Sequence, residues 1–114
     1  MYGLPEGFTA DFLCGRTLDS ICVTLAQLYL HFSGDCLITV SGEVSVDEGE
    51  LLVLPEAIPS VYALIDQKVV STSSDARGTL SLAFEKGAAL HIHDTDQRYE
   101  AYCIAMNGKE IVRV

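Results

Sequence analysis

Two stretches of the chain alternate apolar and polar residues with the same phase. In Gln27–Val40, QLYLHFSGDCLITV, the large apolar residues Leu28, Leu30 and Phe32 recur at every second position. In Thr79–Ile92, TLSLAFEKGAALHI, Leu80, Leu82 and Phe84 do the same. A period of two is that of a half-buried strand. Each strand meets a three-residue turn, Ser33-Gly34-Asp35 or Glu85-Lys86-Gly87, and then a second apolar run. Folding back over three residues sets Phe32 against Cys36, Leu30 against Ile38 and Leu28 against Val40. The same count sets Phe84 against Ala88, Leu82 against Leu90 and Leu80 against Ile92. All the large apolar side chains then share one face, and a one-residue slip would turn them out. Gly34 sits one place earlier in its turn than Gly87 does, so the two turns are expected to differ in type.

The duplication reaches further. Leu64-Ile65-Asp66-Gln67-Lys68-Val69 echoes Leu13-Cys14-Gly15-Arg16-Thr17-Leu18, with an offset of 51 there and 52 in the hairpins. Ile21, Val23 and Leu25 alternate with Cys22 and Thr24 and predict a strand that enters the first hairpin through a turn near Ala26. Each half therefore reads as a leading strand plus a hairpin, a three-stranded meander. Between the halves, Val44 and Val46 extend the sheet, Asp47-Glu48-Gly49-Glu50 is a turn, and Leu51–Leu54 is an apolar run that stops at Pro55. Pro59 suits the first turn of a short helix packing through Val61, Tyr62, Leu64 and Ile65. After a polar turn at Asp94–Gln97, the dipeptide Asn107-Gly108 between apolar runs predicts a two-residue hairpin. That count sets Ile104 against Ile111 and Cys103 against Val112, leaving both faces of the last hairpin partly apolar.

The expected fold is mostly β with one short helix: two pseudo-repeated meanders plus a C-terminal hairpin, about eight strands in a sandwich or barrel-like sheet. The expected organisation is a single domain of 114 residues, with repeat 1 at about 12–46, a connector at about 47–65, repeat 2 at about 64–93 and the hairpin at about 98–114. The first ten or so residues, with Gly3, Pro5 and Gly7, read as an irregular arm.

Composition adds class and partner. With 49% apolar and 20% charged residues the chain is globular in composition. No apolar run approaches the ~20 residues needed to span a bilayer, and the N-terminus lacks a secretory pattern, so a cytoplasmic location is expected. Four cysteines without a C-x-x-C pair read as reduced, structural thiols, with Cys36 on the buried face of its hairpin. Seven Lys and Arg against sixteen Asp and Glu give a net charge of −9. Between Arg16 and Lys68 there is no basic residue, yet that span carries Asp19, Asp35, Glu43, Asp47, Glu48, Glu50, Glu56 and Asp66. Such a surface repels nucleic acid and attracts a basic protein; simple solubility is the plainer explanation of the same charge.

Catalytic patterns are lacking: there is no phosphate-binding glycine loop, no G-x-S-x-G, and Asp47–Glu50 is too short to wrap calcium. The most site-like cluster is His91-Ile92-His93 with Asp94, Asp96 and Glu100. On a strand both imidazoles lie on one side and could share a metal. The His-x-His resembles that of the cupins, but the flanking spacing differs on both sides, with Gly87 too near and Glu100 too far. A solvated strand face is the competing explanation. His31 shares its strand face with Tyr29. Glu100 falls on the same strand face as Tyr102 and Ile104.

The phrases L-C-G-R-T-L-x-x-I, Q-L-x-L-x-F, G-x-L-x-L-x-F-x-x-G-x-x-L-x-I, Y-E-A-Y-x-I and N-G-x-x-I-x-V follow one another from about Phe12 to Val114. In this the chain resembles a family of small bacterial β proteins of unassigned biochemistry, found among the immunity proteins of contact-dependent inhibition and related polymorphic toxin systems. The resemblance implies a non-enzymatic immunity protein that neutralises a basic toxin domain, and it supplies no catalytic residue and no cofactor. With the acidic span, it points to Glu43, Asp47, Glu48, Glu50 and Glu56 as partner-binding residues. The alternatives are a cupin-like metal enzyme or ligand binder using His91, His93 and Glu100, and a homodimer of structural or regulatory role packing through its last hairpin.

Overall fold

The computed structural model describes residues 9–52, 56–75, 77–94 and 101–114. After a short 3₁₀ turn at Asp11–Leu13 come β1 (Leu18–Val23), β2 (Leu28–Phe32), β3 (Cys36–Val40), β4 (Val44–Val46), the helix α1 (Ile58–Tyr62), β5 (Val69–Ser74), β6 (Leu80–Phe84), β7 (Ala89–Ile92), β8 (Tyr102–Met106) and β9 (Lys109–Arg113). They form two antiparallel sheets, one of five strands in the order β1-β2-β3-β8-β9 and one of four in the order β4-β7-β6-β5. The inner faces share one apolar core, an arrangement consistent with a β-sandwich; no closed barrel forms among the described strands.

Both internal hairpins have the register that their alternation requires. Leu28 lies opposite Val40, Leu30 opposite Ile38 and Phe32 opposite Cys36. In the second, Leu80 lies opposite Ile92 and Leu82 opposite Leu90, and the Phe84 amide donates to the Ala88 carbonyl (2.8 Å). Leu28, Leu30, Phe32, Leu80, Leu82 and Phe84 are all buried. The turns do differ. Gly87 takes the left-handed conformation (φ 100) at the third position of its turn, whereas Gly34 (φ 78) and Asp35 (φ 61) both take it in the first. Aspartate tolerates that region better than most side chains because its short carboxylate bonds locally.

The two halves are joined through their own repeat. Thr17 bridges Lys68, its counterpart at an offset of 51. Around that bridge the bonds are reciprocal: the Gly15 amide donates to the Val69 carbonyl (2.8 Å) and the Asp66 amide to the Leu18 carbonyl (2.7 Å). Likewise the Leu18 amide donates to Gln67 (3.0 Å) and the Val69 amide to Arg16 (2.9 Å). Even the side-chain caps repeat: the Thr17 amide donates to Ser33 Oγ (3.0 Å) and the Lys68 amide to Glu85 Oε1 (3.2 Å). The bridge thus joins positions of the two halves that the offset of 51 makes counterparts in the sequence.

Strand exchange locks the halves together. After β3 the chain crosses to the other sheet, where β4 pairs with β7; after β7 it returns, and β8 pairs with β3. Val44 and Val46 thus extend the sheet of the second repeat, not that of the first. Tyr102 makes a further tie: its buried hydroxyl donates to the Gly78 carbonyl (2.6 Å) between β5 and β6, and burial drives its phenol pKa up.

Three local expectations are corrected. The predicted leading strand stops at Val23, and Leu25 stands fully exposed (101%). A bulge between Leu18 and Ser20 shifts the phase, so that Leu18 is buried and Ile21 only half-buried. In α1 and the turn after it, Val61 and Leu64 face the core and Ile65 packs against it, but Tyr62 is 66% exposed. The helix ends at Tyr62, and Leu64 and Ile65 reach the core from the turn that follows, whose Leu64 and Ile65 amides donate to the Val61 and Tyr62 carbonyls (2.9 and 3.1 Å). In the last hairpin Asn107 (φ 54) and Gly108 (φ 79) make the expected turn, yet Ile104 faces Val112 and Cys103 faces Arg113. A bulge there advances β9 by one residue, which buries Val112 and leaves Ile111 47% exposed.

Candidate functional site

The acidic segment is built on β4. Beyond its pairing with β7, Val44 bridges Leu52, with the Val44 amide donating to the Leu52 carbonyl (2.9 Å) and the Leu52 amide to Val44 (2.7 Å). Residues 47–51 thereby form a loop between the end of β4 and the Leu52 bridge. Asp47, in the left-handed region (φ 56), is committed to that loop's foot: its amide donates to the Ala89 carbonyl (2.8 Å) and its carboxylate accepts the Ala89 amide (2.9 Å). Glu48 and Glu50 project from the tip and are exposed, as is Glu56 just before α1. Glu43 is half-buried beside the histidines, its carbonyl accepting the His93 amide (2.9 Å). Of the five acidic candidates, Asp47, Glu48, Glu50 and Glu56 are exposed, Asp47 also bonding Ala89 of the neighbouring strand, while Glu43 is half-buried beside the histidine strand.

His91 lies on the outer face of β7, opposite the buried Leu90 and Ile92, and His93 follows directly after the strand, the two ring centroids 6.3 Å apart. Each imidazole has a serine. His91 Nδ1 shares a hydrogen bond with the Ser81 hydroxyl (2.7 Å), and His93 Nε2 shares one with Ser45 (2.8 Å). Ser45 is only 5% exposed, a buried hydroxyl whose partner is the imidazole. Burial pushes the His93 pKa down, the charge of His91 adds to that, and Glu43 and Asp75 oppose it. No group of three or more His, Cys, Asp or Glu placed to hold a metal occurs among the described residues, and Glu100 lies outside them. His31 does not join the pair: it is exposed on β2 of the other sheet.

Cys14, Cys22 and Cys36 are free thiols, and the Cys103 thiol donates to Glu110 Oε1 (3.6 Å). Cys36 is buried as expected, and burial pushes its thiol pKa up against the pull of Arg16. Cys14 and Cys22 are exposed. Arg16 is itself enclosed by acceptors: Nε donates to the Phe12 carbonyl (2.8 Å), and one terminal nitrogen to the carbonyls of Ser33 (2.8 Å) and Gly34 (3.2 Å). No helix among the described residues is long and apolar enough to cross a membrane.

One feature had no sequence signal. A recess of about 140 Å³ opens where the β1–β2 loop, the β3–β4 crossing and the residue before α1 meet, lined by Leu25, Ala26, Val40, Ser41, Val44 and Ala57 among others. Its walls come from three separate segments, and only the exposure of Leu25, in a loop predicted as strand, betrays it.

No curated protein and no solved structure matches the chain. A model of a family of unknown function, DUF6188, matches residues 11–114. Its description assigns no biochemistry. With the match running from the first described turn through β9, the chain belongs to DUF6188.

Proposed function

We propose that this chain is a non-enzymatic β-sandwich domain of the cytoplasm, an immunity protein that neutralises a toxin domain through an acidic surface. The observation that carries the reading is the exposure of Glu48, Glu50 and Glu56 within a span, Arg16 to Lys68, that has no basic residue between its ends. Exposed carboxylates in such a span raise the approach rate of a basic partner and disfavour an acidic one. A toxin that acts on nucleic acid carries basic side chains for phosphate, so an anionic cover competes with its substrate. The resemblance to immunity proteins supports the same role.

The test is to read the genes beside this chain's own and to co-express the chain with any toxin domain encoded there; a neighbourhood without a toxin gene would count against the reading. Restored growth, and a complex that weakens as salt rises, are the expected results. A toxin left fully active by a folded protein would overturn the reading. A metal-binding role for His91 and His93 stands second, favoured by their shared face and 6.3 Å separation. Stoichiometric zinc, iron or manganese in the purified protein would promote it over the first.

A further inference from the structure

Arg16 and Gln67 are counterparts at the offset of 51, and the bonds around them match. The Arg16 amide donates to the Leu13 carbonyl (3.1 Å) and the Gln67 amide to that of Leu64 (3.2 Å). The Ser33 amide donates to the Thr17 carbonyl and the Glu85 amide to that of Lys68, both at 2.9 Å. The match extends into the side chains. Arg16 Nε donates to the Phe12 carbonyl four residues back (2.8 Å). Gln67 Nε2, the same number of bonds along its side chain, donates to the Ala63 carbonyl four residues back (3.2 Å).

Beyond that bond the two halves part. The Arg16 guanidinium goes on to the carbonyls of Ser33 and Gly34 (2.8 and 3.2 Å), whereas glutamine ends at its amide. Gln67 is 9% exposed, and its Oε1 is buried with no hydrogen-bond partner. The bond to Ala63 fixes the amide's orientation, because a flipped amide would set two oxygens against each other. A buried acceptor left unpaired is costly, so this oxygen favours any donor that reaches it.

The turn beside Gln67 offers further acceptors. Ser33 corresponds to Glu85, whose carbonyl receives no hydrogen bond among the described residues. Where the first half has the Ser33 hydroxyl against the Thr17 amide, the second has the Glu85 carboxylate against the Lys68 amide (3.2 Å). Because the two turns differ in type, the equivalence is confined to Glu85 and leaves out the Lys86 carbonyl. Glu85, Lys86 and Gly87 are exposed, and nothing lies within 4 Å of where a Gly87 Cβ would stand, so the turn is open to approach. The exposed Asp66 and Glu85 offset the exposed Lys68 and Lys86, so geometry rather than net charge selects the occupant. A guanidinium presents its donors in a rigid plane and serves several oxygens at once, whereas an ammonium acts as a point charge. We infer that Gln67 and the Glu85 turn form a seat for an arginine side chain of a partner, which donates there the bonds that Arg16 makes in the first half. That the arginine belongs to a basic toxin domain rests on the function proposed above; the seat itself is tested without one.

The experiment is a ¹H–¹⁵N NMR titration of the full chain with N-acetyl-arginine methylamide, with the lysine and citrulline analogues as controls. The arginine probe is expected to give saturable shifts at the Gln67 side-chain amide and at the backbone amides of Lys68, Glu85 and Gly87. The two controls are expected to bind about tenfold more weakly. Gln67→Arg supplies the guanidinium from within, so it is expected to abolish those shifts and raise the melting temperature. Gln67→Met removes the oxygen at similar size and is expected to abolish them while circular dichroism stays unchanged. Equal binding of the arginine and lysine probes, no saturable shift at these amides, or undiminished arginine binding by Gln67→Met would each overturn the seat. Should the probe bind as expected while Gln67→Arg neutralises the proposed toxin domain as well as wild type does, the seat's place in that interface is overturned and the acidic-surface reading stands.

Discussion

Gly34 and Gly87 occupy matching turns of the duplicated hairpins, yet replacing them by alanine should cost different amounts. Both have positive φ, 78 and 100, and an L side chain in that region costs about 1–2 kcal/mol. Around Gly87 nothing lies within 4 Å of where a Cβ would stand, so the backbone term is the whole cost. At Gly34 a Cβ would fall 1.9 Å from a terminal nitrogen of Arg16. The guanidinium must move, and in moving it gives up its bonds to the Ser33 and Gly34 carbonyls (2.8 and 3.2 Å). Bonds to a charged group contribute about 1.5–3 kcal/mol when buried. These are half-exposed, and water replaces part of what is lost, so about 1 kcal/mol is the fair increment. Gly34→Ala is therefore expected to destabilise by about 2–3 kcal/mol and Gly87→Ala by about 1–2 kcal/mol. In urea denaturation the two midpoints should separate clearly at unchanged slope. A double-mutant cycle with Arg16→Ala isolates the cause, because once the guanidinium is gone Gly34→Ala should cost no more than Gly87→Ala. Equal costs in the wild-type background would refute the claim that Arg16 braces the first turn.

Tyr102→Phe removes the buried bond to Gly78 and orphans its carbonyl, an expected loss of about 1–2 kcal/mol by urea denaturation. Asp47→Ala removes the cap on the Ala89 amide and leaves an alanine in the left-handed region, so it is expected to cost about 1–2 kcal/mol. Asp47→Asn, which keeps both the acceptor and the tolerance, should cost markedly less, and neither change should reduce partner binding as a charge loss at Glu48 would. His93 has a folded-state pKa below its unfolded value, so the unfolded chain takes up the proton first. Stability is then full above about pH 6.5, the ordinary histidine value, and falls as pH drops from there towards the lowered folded value. His93→Gln should flatten that limb of the pH profile relative to wild type, and an unchanged profile would count against the burial seen beside Ser45.

What the sequence made legible was local. The hairpins at Leu28–Val40 and Leu80–Ile92 follow from alternation over a dozen residues with a turn of fixed length, and the Asn107-Gly108 turn from backbone preference alone. The offset of 51 between Thr17 and Lys68 was visible too, but not that these two residues would bridge each other. The exchange of β4 and β8 between sheets escaped because neither short strand carries a signal for its partner, and β8 finds β3 across more than sixty residues of chain. Bulges at Leu18–Ser20 and before Val112 shifted the phase of β1 and β9 without any glycine or proline to announce them. The acidic span was readable as charge, but sequence could not separate Asp47, bonded to Ala89, from Glu48 and Glu50, which point to solvent. The recess was invisible because three distant segments build it.

The most direct test of the proposed acidic docking surface is the affinity of the triple variant Glu48→Lys, Glu50→Lys, Glu56→Lys for the proposed basic toxin domain, measured against wild type across a salt series. All three side chains are exposed, and none caps a strand as Asp47 does among the described residues, so the variant should keep the wild-type melting temperature. At least a hundredfold weaker binding is expected at low salt, about 1 kcal/mol for each reversed charge, with the gap narrowing as screening increases. A folded triple variant that binds as tightly as wild type, with the same salt dependence, would contradict it.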